Sequence, residues 1–164
     1  MKEFSLPLMS EYTRPVIELY NLPTLIDTGA LIPVFSIFPT TLEKYFDIKL
    51  LLPDEHITGF GGEAKGAVYS ISNFQVGDLI FNDFEIFIPK KPKFQFPFLL
   101  SANLFHGMIY EIDTINKKFT VRMKDEQNLM RECKIKEVRG QLYPQIDGVL
   151  FQDVDMFIHD YMVL

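Results

Sequence analysis

A single cysteine, three histidines and no tryptophan leave this 164-residue chain little material for several kinds of chemistry. Cys133 alone can form neither an intramolecular disulfide nor a multi-cysteine metal site, which fits a reducing, cytoplasmic setting. It lies in the charged stretch "MRECKIKEVR" without a neighbouring histidine, and reads as an ordinary half-buried thiol. His56, His106 and His159 are far apart and have no i, i+4 partner, so no metal site is expected and no cofactor is implied. There is no apolar run of about eighteen residues and no basic-then-apolar leader, so neither a membrane span nor a secretory signal is expected. Basic residues are also scarce. The formal net charge is -6, and the one basic cluster, "PKKPK" from Pro89 to Lys93, is broken by proline, so a nucleic-acid partner is not expected. Serine-hydrolase, phosphate-loop and dinucleotide fingerprints are all missing.

What the chain does have is aromatic and β-prone. Sixteen Phe and seven Tyr supply an aromatic core, and ten prolines interrupt helices repeatedly, so an all-β single domain is expected. Arg14 to Asn21 alternates as a strand before Leu22-Pro23, "TLIDTGA" continues as a second strand to Gly29, and Pro33 to Phe38 can be a third. Thr40 to Ile48 reads as a short helix, with Thr40 or Thr41 as N-cap and Glu43 in its first turn. "GAVYSISNFQV" and "LIFNDFEIFI" alternate with period two around Gly77-Asp78, a hairpin signal. The glycine run "GFGGEAKG", Gly59 to Gly66, is expected to be a loop or hairpin tip and no strand interior. Phe98 to Gly107 reads as a buried strand entering one or two helical turns, and "MIYEIDTINKKFTVRM" as a hairpin turning near Asn116-Lys117. The last forty or so residues fit helical spacing and short alternating runs equally well.

One carboxylate stands out. Asp27, inside "LPTLIDTGALIPVFS", is the only charged residue between Glu18 and Glu43. Asp-Thr-Gly alone is good turn chemistry, because the Asp side chain can accept from the backbone two residues on. The flanks add more. "LIDTGA" (Leu25 to Ala30), the glycine-rich "TGFGGEAKG" (Thr58 to Gly66) and the hydrophobic pair in "FLLSANLF" (Phe98 to Phe105) follow one another in an order that resembles the retropepsin-like aspartic proteases, the retroviral-type and bacterial single-lobe branch. The likeness spans about residues 14–123, taken as the protease domain 1–123, with 124–164 as a C-terminal extension of the same domain and a possible dimer contact.

The resemblance implies a closed, barrel-like all-β lobe with one or two short helices and a β-hairpin flap. It implies Asp27 as the catalytic carboxylate, supported by Thr28, Gly29 and Ala30, with Gly59, Phe60, Gly61 and Gly62 forming a flap over a peptide or protein substrate. Thr28 would reach across to a partner loop. Two carboxylates sharing one proton are required, one as acid and one as base on a bound water. Asp113 in "EIDTINKK" repeats the letters Ile-Asp-Thr but has Ile115 where Gly is needed, and reads as a hairpin residue. An enzyme of this kind must therefore be a homodimer that joins two Asp27 side chains. Ala30 offers no hydroxyl to the carboxylate, which places the expected pH optimum at roughly 5 to 6.5. Two departures stand against the pattern: Ser101 replaces the Gly that follows the hydrophobic pair, and the flap tip has Phe60 and no tyrosine. The alternative is a catalytically inactive module of the same architecture that grips a peptide strand or scaffolds a partner without cleaving it.

Overall fold

The computed structural model describes residues 2–59, 62–91, 95–123, 134–138, 141–146 and 149–150. Among these the chain is mostly β, as the alternating pattern requires, with one four-residue helix. The strands are β1 (Glu3–Pro7), β2 (Val16–Leu19), β3 (Leu22–Asp27), β4 (Val34–Phe35), β5 (Asp47–Gly59), β6 (Gly62–Ser72), β7 (Phe74–Val76), β8 (Leu79–Phe81), β9 (Phe84–Pro89), β10 (Phe98–Ser101), β11 (Met108–Asp113), β12 (Lys118–Met123), β13 (Lys134–Val138), β14 (Gln141–Ile146) and β15 (Val149–Leu150). Helix α1 is Pro39–Leu42, and a 3-10 turn covers Ala102–Phe105.

The main sheet has seven strands in the order β2-β3-β10-β4-β9-β6-β5. β1, β12 and β11 form a second sheet, joined to the edge of the first through the bridge Leu8↔Ile17. Arg122 ties this second sheet together, its Nε donating to Glu3 at 2.6 Å and its Nη1 to Glu111 at 2.8 Å. β13, β14 and β15 make an antiparallel meander. The aromatic complement fills one core. Phe35, Phe74, Phe98, Phe105 and Phe119 are all fully buried there with Ile17, Ile26, Ile71, Ile86 and Leu100. Phe74 is its hub, with ring centroids of Phe35, Phe46, Phe84 and Phe98 between 5.1 and 5.7 Å away, in tilted or edge-on geometry.

Several expectations change. The main sheet is open, its edges β2 and β5 not pairing with each other, so no hydrogen-bonded barrel closes among the described residues. The β5 edge carries Pro53, which has no N–H to donate, and two register shifts against β6, both of which resist further pairing. β3 ends at Asp27 and not at Gly29, because Thr28 and Gly29 already turn. The helix starts at Pro39 with Phe38 as N-cap and no side-chain cap, since the fixed φ of proline suits a first helical position; it is over by Leu42, and β5 takes the residues from Asp47.

The two strands expected around Gly77-Asp78 are each broken in two. Asn73 and Asp83 take positive φ (61° and 53°) and set β7–β8 off from β6–β9. Polar side chains hold that corner: Ser72 Oγ donates to Asp83 at 3.0 Å, and the Asn73 N–H donates to Asn82 at 3.0 Å. The glycine run also divides. Gly59 pairs with Gly62 at the hairpin end, whereas Gly66 lies inside β6 between Glu55 and Pro89. A Cβ at Gly66 would collide with the Ile88 carbonyl and the Phe87 ring, so glycine is there for close strand approach and not for a turn. At the β11–β12 turn Asp113 accepts the N–H of Ile115 and of Asn116, as its hairpin reading requires. Cys133 and residues 151–164 lie outside the described residues.

Candidate active site

β3 carries Asp27 at its C-terminal end. Its register with β10 is parallel and in phase: Thr24↔Phe98, Leu25↔Leu99, Ile26↔Leu100 and Asp27↔Ser101. Two segments far apart in sequence are thereby joined, and their residues sort by face. Ile26 and Leu100 enter the main core, while Leu25 and Leu99 belong to the smaller apolar clusters on the other side. Asp27 and Ser101 continue the Leu25 and Leu99 face by the two-residue period of a strand.

Past Asp27 the chain turns sharply. The Gly29 N–H donates to Asp27 Oδ1 at 3.1 Å, and the Ala30 N–H reaches the Asp27 carbonyl at 3.3 Å. This is the Asx turn that Asp-Thr-Gly favours. Asp27 and Thr28 are half-buried and Gly29 is exposed. The loop is pinned at both ends. The Ile26 N–H donates to the Pro15 carbonyl at 2.9 Å, and Asn103 Nδ2, from the 3-10 turn after β10, donates to the Leu31 carbonyl at 2.8 Å. Continuing the β2–β3 register two residues past Val16↔Leu25 brings Arg14 opposite Asp27.

Three buried hydroxyl oxygens, Thr28 Oγ1, Ser36 Oγ and Ser101 Oγ, have no hydrogen-bond partner among the described residues. Thr28 and Ser101 flank Asp27, Thr28 as its chain neighbour and Ser101 as its ladder partner. Burying a hydroxyl without a partner costs about 1–3 kcal/mol, so each of the three calls for a hydrogen-bond partner.

β5 and β6 form the long hairpin expected as a flap. Ile57 and Ala64 face the apolar cluster of Val34, Val68 and Phe87, which Ile32 and Leu99 also join. This cluster connects the hairpin to the strand beside Asp27. His56 Nδ1 and Glu63 Oε1 meet across the outer side of the hairpin at 2.8 Å. Of the flap residues named from sequence, Gly59 and Gly62 are paired with each other, and Phe60 and Gly61 lie outside the described residues. The arrangement thus brings Asp27, Thr28, Gly29 and Ala30 to one loop, beside Ser101.

Sequence reasoning passed over Asn103 and Arg14. Asn103 had a local signal, a lone amide between apolar residues in "SANLF"; Arg14 gained meaning only from the register. No group of three or more His, Cys, Asp or Glu able to hold a metal occurs among the described residues. No helix among them is long and apolar enough to cross a membrane. A cavity of ≈ 210 Å³ lined by Lys2, Glu3, Phe4, Asp78 and Met123 shares no residue with the Asp27 loop. Comparisons with protein-family models, with curated proteins and with solved structures find no match for this chain.

A lone carboxylate with one oxygen bound to Gly29 can accept a proton from water but has no acid to protonate a leaving amine. In one chain the Asp27 site is an Asx turn that presents a single carboxylate.

Proposed function

We propose that this chain is one half of a retropepsin-like aspartic endopeptidase that acts as a homodimer. The observation that carries this reading is the in-phase parallel pairing of Leu25-Ile26-Asp27 with Leu99-Leu100-Ser101, which unites two of the three sequence pieces that suggested the family. A two-fold axis beside the Asp27 loops would bring the carboxylates within about 3 Å, where they cannot both ionise. One would then give its proton to the carbonyl oxygen, while the other takes a proton from the attacking water and passes it on to the leaving nitrogen. Their titration would belong to the pair.

Thr28 fits the same assembly, because its buried, unpartnered hydroxyl would find the partner loop there. The β5–β6 hairpin would lie over an extended peptide, offering backbone pairing and excluding water. Ile32, Ile57 and Leu99 would make the cleft apolar, favouring peptides with aliphatic or aromatic side chains at the cut bond.

The test is digestion of a denatured peptide mixture between about pH 3 and 7 by the native chain and by Asp27→Asn, with products read by mass spectrometry and the assembly state by sedimentation. New termini from the native protein alone, together with a dimer, are the expected result. A second reading, a non-cleaving module that grips a peptide strand, is favoured by Ser101 at the family's glycine position. A monomer whose digestion pattern equals that of Asp27→Asn would establish it over the enzyme.

A further inference from the structure

Ser101 is the residue that β10 sets beside Asp27. Ladder partners on adjacent strands place their side chains on the same face, with the strands about 4.8 Å apart. Ser101 is 0% exposed, and its hydroxyl has no partner among the described residues. A hydroxyl taken wholly out of water carries a desolvation penalty that only a hydrogen bond offsets. Asp27 has matching unused capacity: Oδ1 accepts the Gly29 N–H at 3.1 Å, and Oδ2 takes no hydrogen bond among the described residues. Ala30 has no hydroxyl to give. A serine hydroxyl moves between staggered χ1 positions without any backbone change, so the neighbouring strand can supply the donor.

We propose that Ser101 is a positioning residue for Asp27: in the assembled protein its hydroxyl donates to the Asp27 carboxylate, fixing the carboxylate's orientation and favouring its ionised form. Its consequence for catalysis rests on the endopeptidase reading, whereas the hydrogen bond itself does not. Serine in place of glycine is then a functional replacement that restores from β10 the donor that Ala30 lacks.

The surroundings make this contact separable from others. β4, β10, residues 28–33 and the 3-10 turn bring no charged side chain; His106 follows that turn. Before β2 stand Tyr12, packed near Leu25, and Arg14, opposite Asp27 in the extended register. On the hairpin His56 and Glu63 pair with each other, and Glu55 and Lys65 complete its charged groups near that end. None of these is altered by changing Ser101, so a shift in Asp27 titration on removing the hydroxyl reports the Ser101 contact.

The experiment is a carboxyl-carbon NMR titration of Asp27 in the full chain, its resonance assigned by its loss in Asp27→Asn, compared among the native protein, Ser101→Ala and Ser101→Gly. Removing a donor to the ionised form raises the midpoint, here by about 0.5 to 1 pH unit in both variants. The acid limb of peptide cleavage moves the same way, which at a pH on that limb is a loss of roughly three- to tenfold. An Asp27 midpoint unchanged in the variants, with the β circular dichroism retained, overturns the proposal. Ser101→Gly, which only removes atoms from the buried position, decides the matter should Ser101→Ala not fold. If Asp27→Asn cleaves as the native chain does, the endopeptidase reading falls, while the NMR midpoint still decides for or against the Ser101 hydrogen bond.

Discussion

Leu99 and Leu100 are consecutive on β10 and should respond very differently to truncation. Leu100 is 0% exposed and belongs to the main core with Ile26 and Phe35, on a strand hydrogen-bonded on both sides by β3 and β4. Removing most of a fully buried leucine forfeits its transfer energy and leaves a cavity that a paired central strand cannot collapse into, about 2–5 kcal/mol in all. Leu99 is half-buried on the opposite face against the smaller clusters. Its truncation loses part of the roughly 1.5–3 kcal/mol of a buried leucine and opens no sealed void, so about 1–2 kcal/mol is expected. With a urea dependence of about 2 kcal/mol per molar, Leu100→Ala lowers the unfolding midpoint by roughly 1–2.5 M and Leu99→Ala by roughly 0.5–1 M. On the endopeptidase reading the effect on peptide handling should divide the other way, Leu99→Ala raising KM more than Leu100→Ala because its face adjoins Asp27. Equal midpoints, or a larger loss for Leu99→Ala, would mean that β10 presents the other face to the core, and the Asp27↔Ser101 register would fall with it.

Gly66→Ala should cost about 1–3 kcal/mol in urea unfolding, because its Cβ meets backbone of β9 that cannot move aside. Gly62→Ala, in open space but at φ +96°, should cost about 1 kcal/mol through backbone strain alone. Burial pushes the Tyr110 hydroxyl up to about 12. A folded value above the unfolded value near 10 means that this stability is fully present below about pH 10 and is lost as pH rises towards 12. Tyr110→Phe should therefore remove a late-ionising phenol from an absorbance titration and flatten the alkaline fall in stability. Arg122→Ala should loosen the joined edges of β1, β12 and β11 by about 1 kcal/mol, with hydrogen exchange increasing first in β1; unaltered exchange in β1 would show the two ion pairs to be inconsequential.

Local pattern was enough for much of this protein. Period-two alternation marked β2, β6 and β9, Gly77-Asp78 marked a hairpin, and Asp113 was legible as a turn residue because its bonds run to Ile115 and Asn116, within three positions. The Asx turn at Asp27 was legible for the same reason. Where Asn73 and Asp83 break the strands was not, since both corners are held by bonds between Ser72-Asn73 and Asn82-Asp83 that exist only once the hairpin has formed. The first half of β5 was hidden as well: "KLLLPDE" has neither alternation nor turn residues at strand spacing, and its conformation follows from the partner strand β6.

By itself the sequence determined the chemistry available: one carboxylate in an apolar stretch, a turn made to present it, and no cysteine pair, histidine cluster or nucleotide loop to compete with it. Tertiary structure alone decided what stands beside that carboxylate. Parallel pairing of β3 with β10 leaves no local trace, because each strand reads as an apolar run whichever neighbour it takes and only burial of Ile26 and Leu100 in one core selects the register. That register turned Ser101 from a missing glycine into the neighbour of Asp27, and Gly66 from a loop residue into the point of closest strand approach.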